Sequence, residues 1–274
     1  MVKSADLHLH TIFSDGTSTP EELVSQSKVK GLFCISVVDH DAVGGIERAA
    51  RAGEKEGIEV IPGIELSAEW QGLEIHMLGY FIDYKRPSFI EKLDSLAQTR
   101  VERVYKIIDK LKQAGIDLEP ESVFDMAEAG TVGRLHVARA MVKKRITSST
   151  FEAFQKYLGE RCPAYVCGFR FSPEDAIKLI KGVGGIPVLA HPYIIKHDEL
   201  IPQLVDCGLM GLEVYYPEHT QAMINYYLDL AKKHKLLVTG GSDFHGRAKP
   251  DVSIGMIKLD YKFIEKMKEA KNAA

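Results

Sequence analysis

Short apolar and β-branched runs alternate with helix-like stretches along this chain, and most of the runs stop on a histidine or an acid. The runs cover residues 5–10, 33–38, 59–64, 73–79, 186–190, 212–215 and 236–239. Such alternation predicts an α/β fold on a mostly parallel sheet, with helices carrying the chain from strand to strand. Two helix starts punctuate it. Thr19-Pro20-Glu21-Glu22 is a capping box with proline at the first helical position, and Ser172-Pro173-Glu174-Asp175 repeats the device.

Between 87 and about 166 the alternation stops and only helical patterns remain. Residues 88–111 place Leu93, Leu96, Val101, Val104, Ile107, Ile108 and Leu111 at helical spacing, and Gly115 ends the run. Shorter helices are predicted over 121–129, 133–144 and 151–158. A strandless block set inside a barrel-like pattern reads as an insertion. The expected organisation is therefore a barrel from 1–86 and 167–274, with an inserted all-α cap from 87–166.

Nine residues of metal-binding type fall where strands run out: His8, His10, Asp15, His40, Glu65, His76, His191, Asp243 and His245. Imidazole and carboxylate without thiolate suit a hydrolytic centre for Mn, Fe or Zn better than a structural cysteine site. In Asp6-Leu7-His8-Leu9-His10 the period of two puts Asp6, His8 and His10 on one strand face. A lone pair of histidines is weak evidence. The other members, spread over many strand ends, predict convergence at one rim of a barrel. Asp6, Asp39 and Asp41 either orient ligand imidazoles or cap turns.

Composition narrows the partners. With 274 residues, 45% of them hydrophobic, the chain can bury a full core. A net charge of -3 offers no basic field for a DNA duplex. No apolar run approaches the ~20 residues of a membrane span and the start lacks a leader pattern, so a soluble, unprocessed chain is expected. Cys34, Cys162, Cys167 and Cys207 form no CxxC pair and read as reduced thiols, which favours the cytoplasm. The oligomeric state leaves no mark in the sequence.

His8-Leu9-His10, Ser14-Asp15-Gly16, Asp39-His40-Asp41, Pro62-Gly63-Ile64-Glu65, His76, Ala190-His191-Pro192 and Gly241-Ser242-Asp243-Phe244-His245 together resemble the PHP (polymerase and histidinol phosphatase) family of metal-dependent phosphoesterases. The resemblance implies a distorted (β/α)7 barrel and a site for three divalent ions. It implies one ion on His8, His10, Glu65 and Asp243, a second on Glu65, His76 and His191, and a third on Asp15, His40 and His245. Two ions ~3.5–4 Å apart activate a shared water, so a metal-bound hydroxide is the expected nucleophile. Asp243 is either a proton acceptor or purely a ligand.

Substrate contacts are expected from the cap. At ~100° per residue Arg100 falls in the middle of the apolar stripe and Arg103 on its edge. A guanidinium there either grips a phosphate or pairs with an acid of the cap. Gly133-Arg134-Leu135-His136 opens a predicted helix, where backbone N–H groups favour an anion, so Arg134 and His136 join the candidates beside Asp15. His219 either reaches substrate or lies in a surface loop. Gly133-Arg134-Leu135-His136, Ala164-Tyr165-Val166 and Gly211-Leu212-Glu213-Val214-Tyr215 resemble a subgroup that removes the 3′-phosphate of nucleoside 3′,5′-bisphosphates, with relatives that trim short 5′-phosphorylated RNA. A small phosphorylated nucleotide or short RNA is the implied substrate. The alternatives are a histidinol-phosphate-type phosphatase, an amidohydrolase-like enzyme cutting a C–N bond, and a binding or editing module of a replication assembly.

Overall fold

The computed structural model describes residues 3–127, 130–167 and 171–273. Among these residues one sheet holds eight strands: β1 (Ser4–Leu9), β2 (Cys34–Val37), β3 (Glu59–Trp70), β4 (Leu73–Tyr80), β5 (Ile186–Leu189), β6 (Gly211–Tyr215), β7 (Leu237–Gly240) and β8 (Leu259–Asp260). All seven predicted strands are present. The two-residue β8 is an addition, too short to show as a pattern in sequence. The strands lie in the order β7-β6-β5-β4-β3-β2-β1-β8.

Pairing is parallel from β1 to β3 and from β5 to β7, but β4 runs antiparallel to both neighbours. A tight turn at Gln71 and Gly72, both at positive φ, folds β4 straight back on β3. This hairpin extends β3 to Trp70, past the predicted end at 64. After β7 the chain returns to the top of β1, where the His10 amide donates to the Phe244 carbonyl at 3.0 Å. At the opposite end β8 pairs antiparallel with β1. The sheet is thus a nearly closed, distorted barrel.

Helices α1 (Pro20–Val29) and α2 (Ile46–Glu56) follow β1 and β2. Between β4 and β5 come α3 (Pro87–Gln113), α4 (Pro120–Phe124), α5 (Arg134–Lys143) and α6 (Thr150–Ala153), the last running into a π-helical turn over Phe154–Leu158. Then follow α7 (Pro173–Gly182), α8 (Pro192–Ile195), α9 (Leu200–Asp206), α10 (Gln221–Lys233) and α11 (Lys262–Ala273). The Thr19 hydroxyl and Glu22 cap α1 reciprocally, and Ser172 caps α7. The helix predicted over 121–129 stops at Phe124, and its residues 128 and 129 lie outside the described ones.

Packing follows these elements. Along α3, Leu93, Leu96, Val104, Ile107 and Leu111 are buried, each side chain contributing roughly 1.5–3 kcal/mol. Val104, Ile107 and Leu111 share an apolar cluster with Val123, Val137, Met141 and Leu158, all from the strandless segment. The barrel is lined by Leu7, Val38, Ile61, Leu78, Tyr80 and Val188. Strict alternation fails in β1, where the register shifts between Asp6 and Leu9. Leu9 consequently packs with Leu23 of α1, away from the cluster that holds Leu7.

Candidate metal centre

The nine predicted ligands meet at one rim of the barrel around Glu65, itself 1% exposed at the midpoint of β3. His8 Nε2 lies 3.2 Å from Glu65 Oε2 and 3.5 Å from Asp243 Oδ1; His10 Nε2 lies 3.1 Å and 3.3 Å from the same two oxygens. Ligands ~2.0–2.2 Å from a tetrahedral ion stand about 3.3–3.6 Å from one another, so these spacings match the edges of one coordination shell. His10 Nε2 forms no hydrogen bond although both carboxylates are near, because the lone pairs converge on the space between them. The donor set fits a divalent ion.

A second group surrounds the other oxygen of Glu65. His76 Nδ1 is 2.9 Å and His191 Nε2 3.2 Å from Glu65 Oε1, and the two ring nitrogens are 3.3 Å apart. On the third side His245 Nε2 approaches Asp15 Oδ1 at 3.1 Å, while His40 Nε2 and His10 Nδ1 each stand 3.9 Å from Asp15. His10, Asp15, His40 and His245 can all offer atoms within 4.8 Å of one another, and so can His40, Glu65 and His76. His10 and His40 therefore border two groups, a sharing that sequence spacing does not reveal. His76 departs from the strand-end rule because β4 runs antiparallel and brings its early residues to this rim.

Local backbone geometry is unusual here. His191 has φ 27 and Asp243 φ 54, both in the left-handed region that non-glycine residues rarely enter. Asp41 has φ 50. The three acids left open in sequence tie neighbouring segments together. Asp6 accepts the Ser242 and Gly255 amides, Asp39 accepts Thr11 and Ser14, and Asp41 accepts the Ser67 amide and Arg100.

Orientation of the imidazoles falls to residues that sequence reasoning missed. Fully buried Glu213 takes His8 Nδ1 on one oxygen at 2.9 Å and the His191 amide on the other at 2.8 Å. In the neutral imidazole that contact takes the Nδ1 proton and frees Nε2 to coordinate. Asp243 Oδ2 accepts from the Tyr216 hydroxyl at 2.8 Å and from Lys249 Nζ at 2.7 Å. Its signal was a charged residue inside an apolar strand for Glu213; Lys249 and Tyr216 carried none. The Lys249 side chain keeps 38% of its surface exposed, at the mouth of the site.

The charge balance depends on what fills the centre. Burial alone would lower His10 and His76, but it is outweighed by Asp243 and Glu65 at His10 and by Glu65 and Glu74 at His76, which push both up to about 9. His40 is held well below the usual histidine range by its burial. Ion binding must displace protons from the raised imidazoles, so loading is favoured as pH rises.

The predicted substrate residues divide. Arg100 gives Nε to Asp41 and Nη2 to Ser67, each at 2.6 Å, and Arg103 gives Nε to the Val166 carbonyl and Nη2 to Glu74. The acids they pair with belong to the barrel strands and their loops, and both guanidiniums brace the helical segment against it. Arg134, with an 18% exposed side chain, reaches Glu74 at 2.8 Å and lies over the rings of Phe154 and Tyr165. His136 sits one turn into α5 and accepts the Gly133 amide on Nδ1 at 3.0 Å. Burial pushes it down to about 4, with the Asp15 charge the largest influence in the other direction. His219 is buried among Tyr193, Tyr216 and Tyr227, with Nδ1 donating to the Val214 carbonyl. It is no surface-loop histidine.

The helical segment touches the metal loops directly. Thr131 donates its amide to the Phe13 carbonyl and its hydroxyl to the His40 carbonyl at 2.6 Å. A Cβ on Gly130 would stand 1.7 Å from the Phe13 carbonyl oxygen, so only glycine fits there.

Comparison with known proteins adds an independent line. A model of the PHP domain matches residues 6–159. Phosphoribosyl 1,2-cyclic phosphate 1,2-diphosphodiesterase of Eggerthella lenta is 31% identical, over 88% of this chain and 94% of that one. A 5′-3′ exoribonuclease of Haemophilus influenzae is 34% identical over 89% and 91%, and the 3′,5′-nucleoside bisphosphate phosphatase of Chromobacterium violaceum 32% over 91% and 90%. A crystal structure of a Bifidobacterium adolescentis protein taken to be a metal-dependent phosphoesterase aligns with TM-score 0.89 and 30% identity, covering 97% of this chain and 95% of that one. No helix among the described residues is long and apolar enough to cross a membrane.

Proposed function

The chain belongs to the PHP family of metal-dependent phosphoesterases, and from that premise we propose that it cleaves the 3′-phosphate of nucleoside 3′,5′-bisphosphates or the terminal ester of short 5′-phosphorylated RNA. The observation that carries this reading is the juxtaposition of the His and carboxylate cluster with the first turn of α5. That turn brings Arg134 to Glu74, the carboxylate that also meets His76, and buries His136 where the Asp15 charge acts on it. A helix start bearing an arginine suits a second, non-reacting phosphate. The three relatives named above act on different esters, yet each name describes a phosphorylated ribose or its polymer.

In this reading His8, His10, Glu65 and Asp243 hold one divalent ion, Glu65, His76 and His191 a second, and Asp15, His40 and His245 a third. Mn, Fe and Zn all suit these donors. Bound divalent ions supply the charge that activates water and stabilises in-line displacement at phosphorus. Residues 87–166 serve as a cap that closes over the substrate, with Arg134 and His136 as its contacts, Asp15 at the reacting end and His219 behind Tyr216. Arg100 and Arg103 hold the cap in place. Asp243 acts as a ligand, since Tyr216 and Lys249 already occupy its outer oxygen.

The test is turnover by protein reconstituted with each metal, read as phosphate release from nucleoside 3′,5′-bisphosphate, as release of the 5′-terminal mononucleotide from 5′-phosphorylated oligoribonucleotide and as phosphate release from histidinol phosphate, with a chelator control. Turnover of the first or second, abolished by chelator, is expected. Turnover of histidinol phosphate alone, or of none of the three, sinks the assignment.

A further inference from the structure

Two buried carboxylates outside the ligand set hold ligand imidazoles, and they are anchored differently. Glu213 turns its second oxygen to the His191 amide, so the orientation of His8 is settled within the barrel. Glu74, with a side chain 7% exposed, sits two residues before His76 on the same face of β4. One of its oxygens meets His76 Nε2 at 3.1 Å. The other meets Arg103 Nη2 at 2.6 Å and Arg134 Nη2 at 2.8 Å, from α3 and α5.

We propose that Glu74 is a positioning residue that fixes His76 with Nδ1 toward the cluster and makes that ligand depend on arginines of the helical segment. A neutral imidazole carries one N–H. With that proton on Nε2 and donated to Glu74, the lone pair on Nδ1 faces Glu65 Oε1 at 2.9 Å and His191 Nε2 at 3.3 Å. Without Glu74 the ring gains freedom to carry its proton on Nδ1, where it blocks coordination. Carboxylates behind ligand histidines fix the tautomer and raise basicity, and their loss typically weakens metal binding about 10–100-fold. Arg103 and Arg134 hold the carboxylate in place. Arg134 thus has two roles: it faces the substrate side and sets the geometry of a metal ligand. The inference rests on the reading of His76 as a ligand.

The experiment measures Mn²⁺ affinity and stoichiometry of the full chain by titration calorimetry and elemental analysis, alongside thermal unfolding of the metal-free protein. Glu74→Gln is expected to weaken one class of Mn²⁺ sites about 10–100-fold, with activity recovered at excess Mn²⁺. Arg134→Met, which leaves Glu74 and Arg103 in place, is expected to weaken the same class by a smaller factor, and it decides the matter if Glu74→Gln fails to fold. Unchanged Mn²⁺ affinity in a folded Glu74→Gln protein, with only the unfolding temperature lowered, overturns the proposal in favour of a plain structural brace. So does an Arg134→Met protein whose substrate KM rises at constant Mn²⁺ affinity. His76→Ala separates the two layers: if it keeps the full Mn²⁺ complement, the ligand reading of His76 fails first.

Discussion

Arg100 of the helical segment and His10 of the barrel rim are both buried, yet their polar atoms are treated in opposite ways. Arg100 is tied to Asp41 and Ser67 at 2.6 Å each, whereas His10 Nε2 stands among two carboxylates with no hydrogen bond to either. Buried polar atoms left unsatisfied are costly, so a fold retains a cluster of them only where something else completes the shell. Burial and charge type alone therefore do not mark a functional residue. What separates a ligand from a brace is whether its geometry is already closed.

The sharpest attack on this contrast is Glu65→Gln, which weakens the one carboxylate common to five imidazoles. Metal content should collapse, and kcat/KM should fall about 10⁴-fold, roughly 5 kcal/mol of transition-state stabilisation. Elemental analysis with steady-state kinetics checks this, and full loading with full activity would break the comparison at its centre. On the other side, Arg100→Met leaves Asp41 buried without its cation and should cost about 3–5 kcal/mol in denaturant unfolding. Adding Asp41→Asn should return part of the loss. Unchanged stability with a raised KM would instead make Arg100 a substrate contact.

His136 offers a graded test through pH. Its folded value of about 4 lies below the ordinary 6.5, so on acidification the unfolded chain takes up the proton first. Stability then falls from near pH 6.5 and levels off below about pH 4; between pH 7 and 5 the loss is about 2 kcal/mol. His136→Gln should flatten that part of the unfolding profile, and an unaltered slope would show that His136 is not buried neutral. The smallest effect belongs to Thr131→Val, which removes the hydroxyl from the His40 carbonyl. About 1 kcal/mol of stability should go with it, measured by calorimetry.

Much of the barrel was legible because strand period and helix caps are local signals. Thr19 and Ser172 announced α1 and α7, and the seven runs became seven strands. The reversed β4 was not, since a direction is set by a two-residue turn and by partners distant in sequence. The ligand histidines stood out through repetition at strand ends. Glu213 and Glu74 did not, because a carboxylate becomes a partner only when the fold sets an imidazole beside it. For Arg100 and Arg103 the helical stripe correctly located burial, but the acids that meet them come from β4 and the loop after β2, beyond any helical period.

The seam at Gly130 and Thr131 bears on how anything leaves the cleft. There Gly130 packs against the Phe13 backbone, and Thr131 makes two hydrogen bonds across the join, one from its amide to Phe13 and one from its hydroxyl to His40. That edge acts as a pin: a swing of the helices cannot begin there without dragging the segment that carries Asp15. Any opening of the cleft along this join would first have to break both hydrogen bonds.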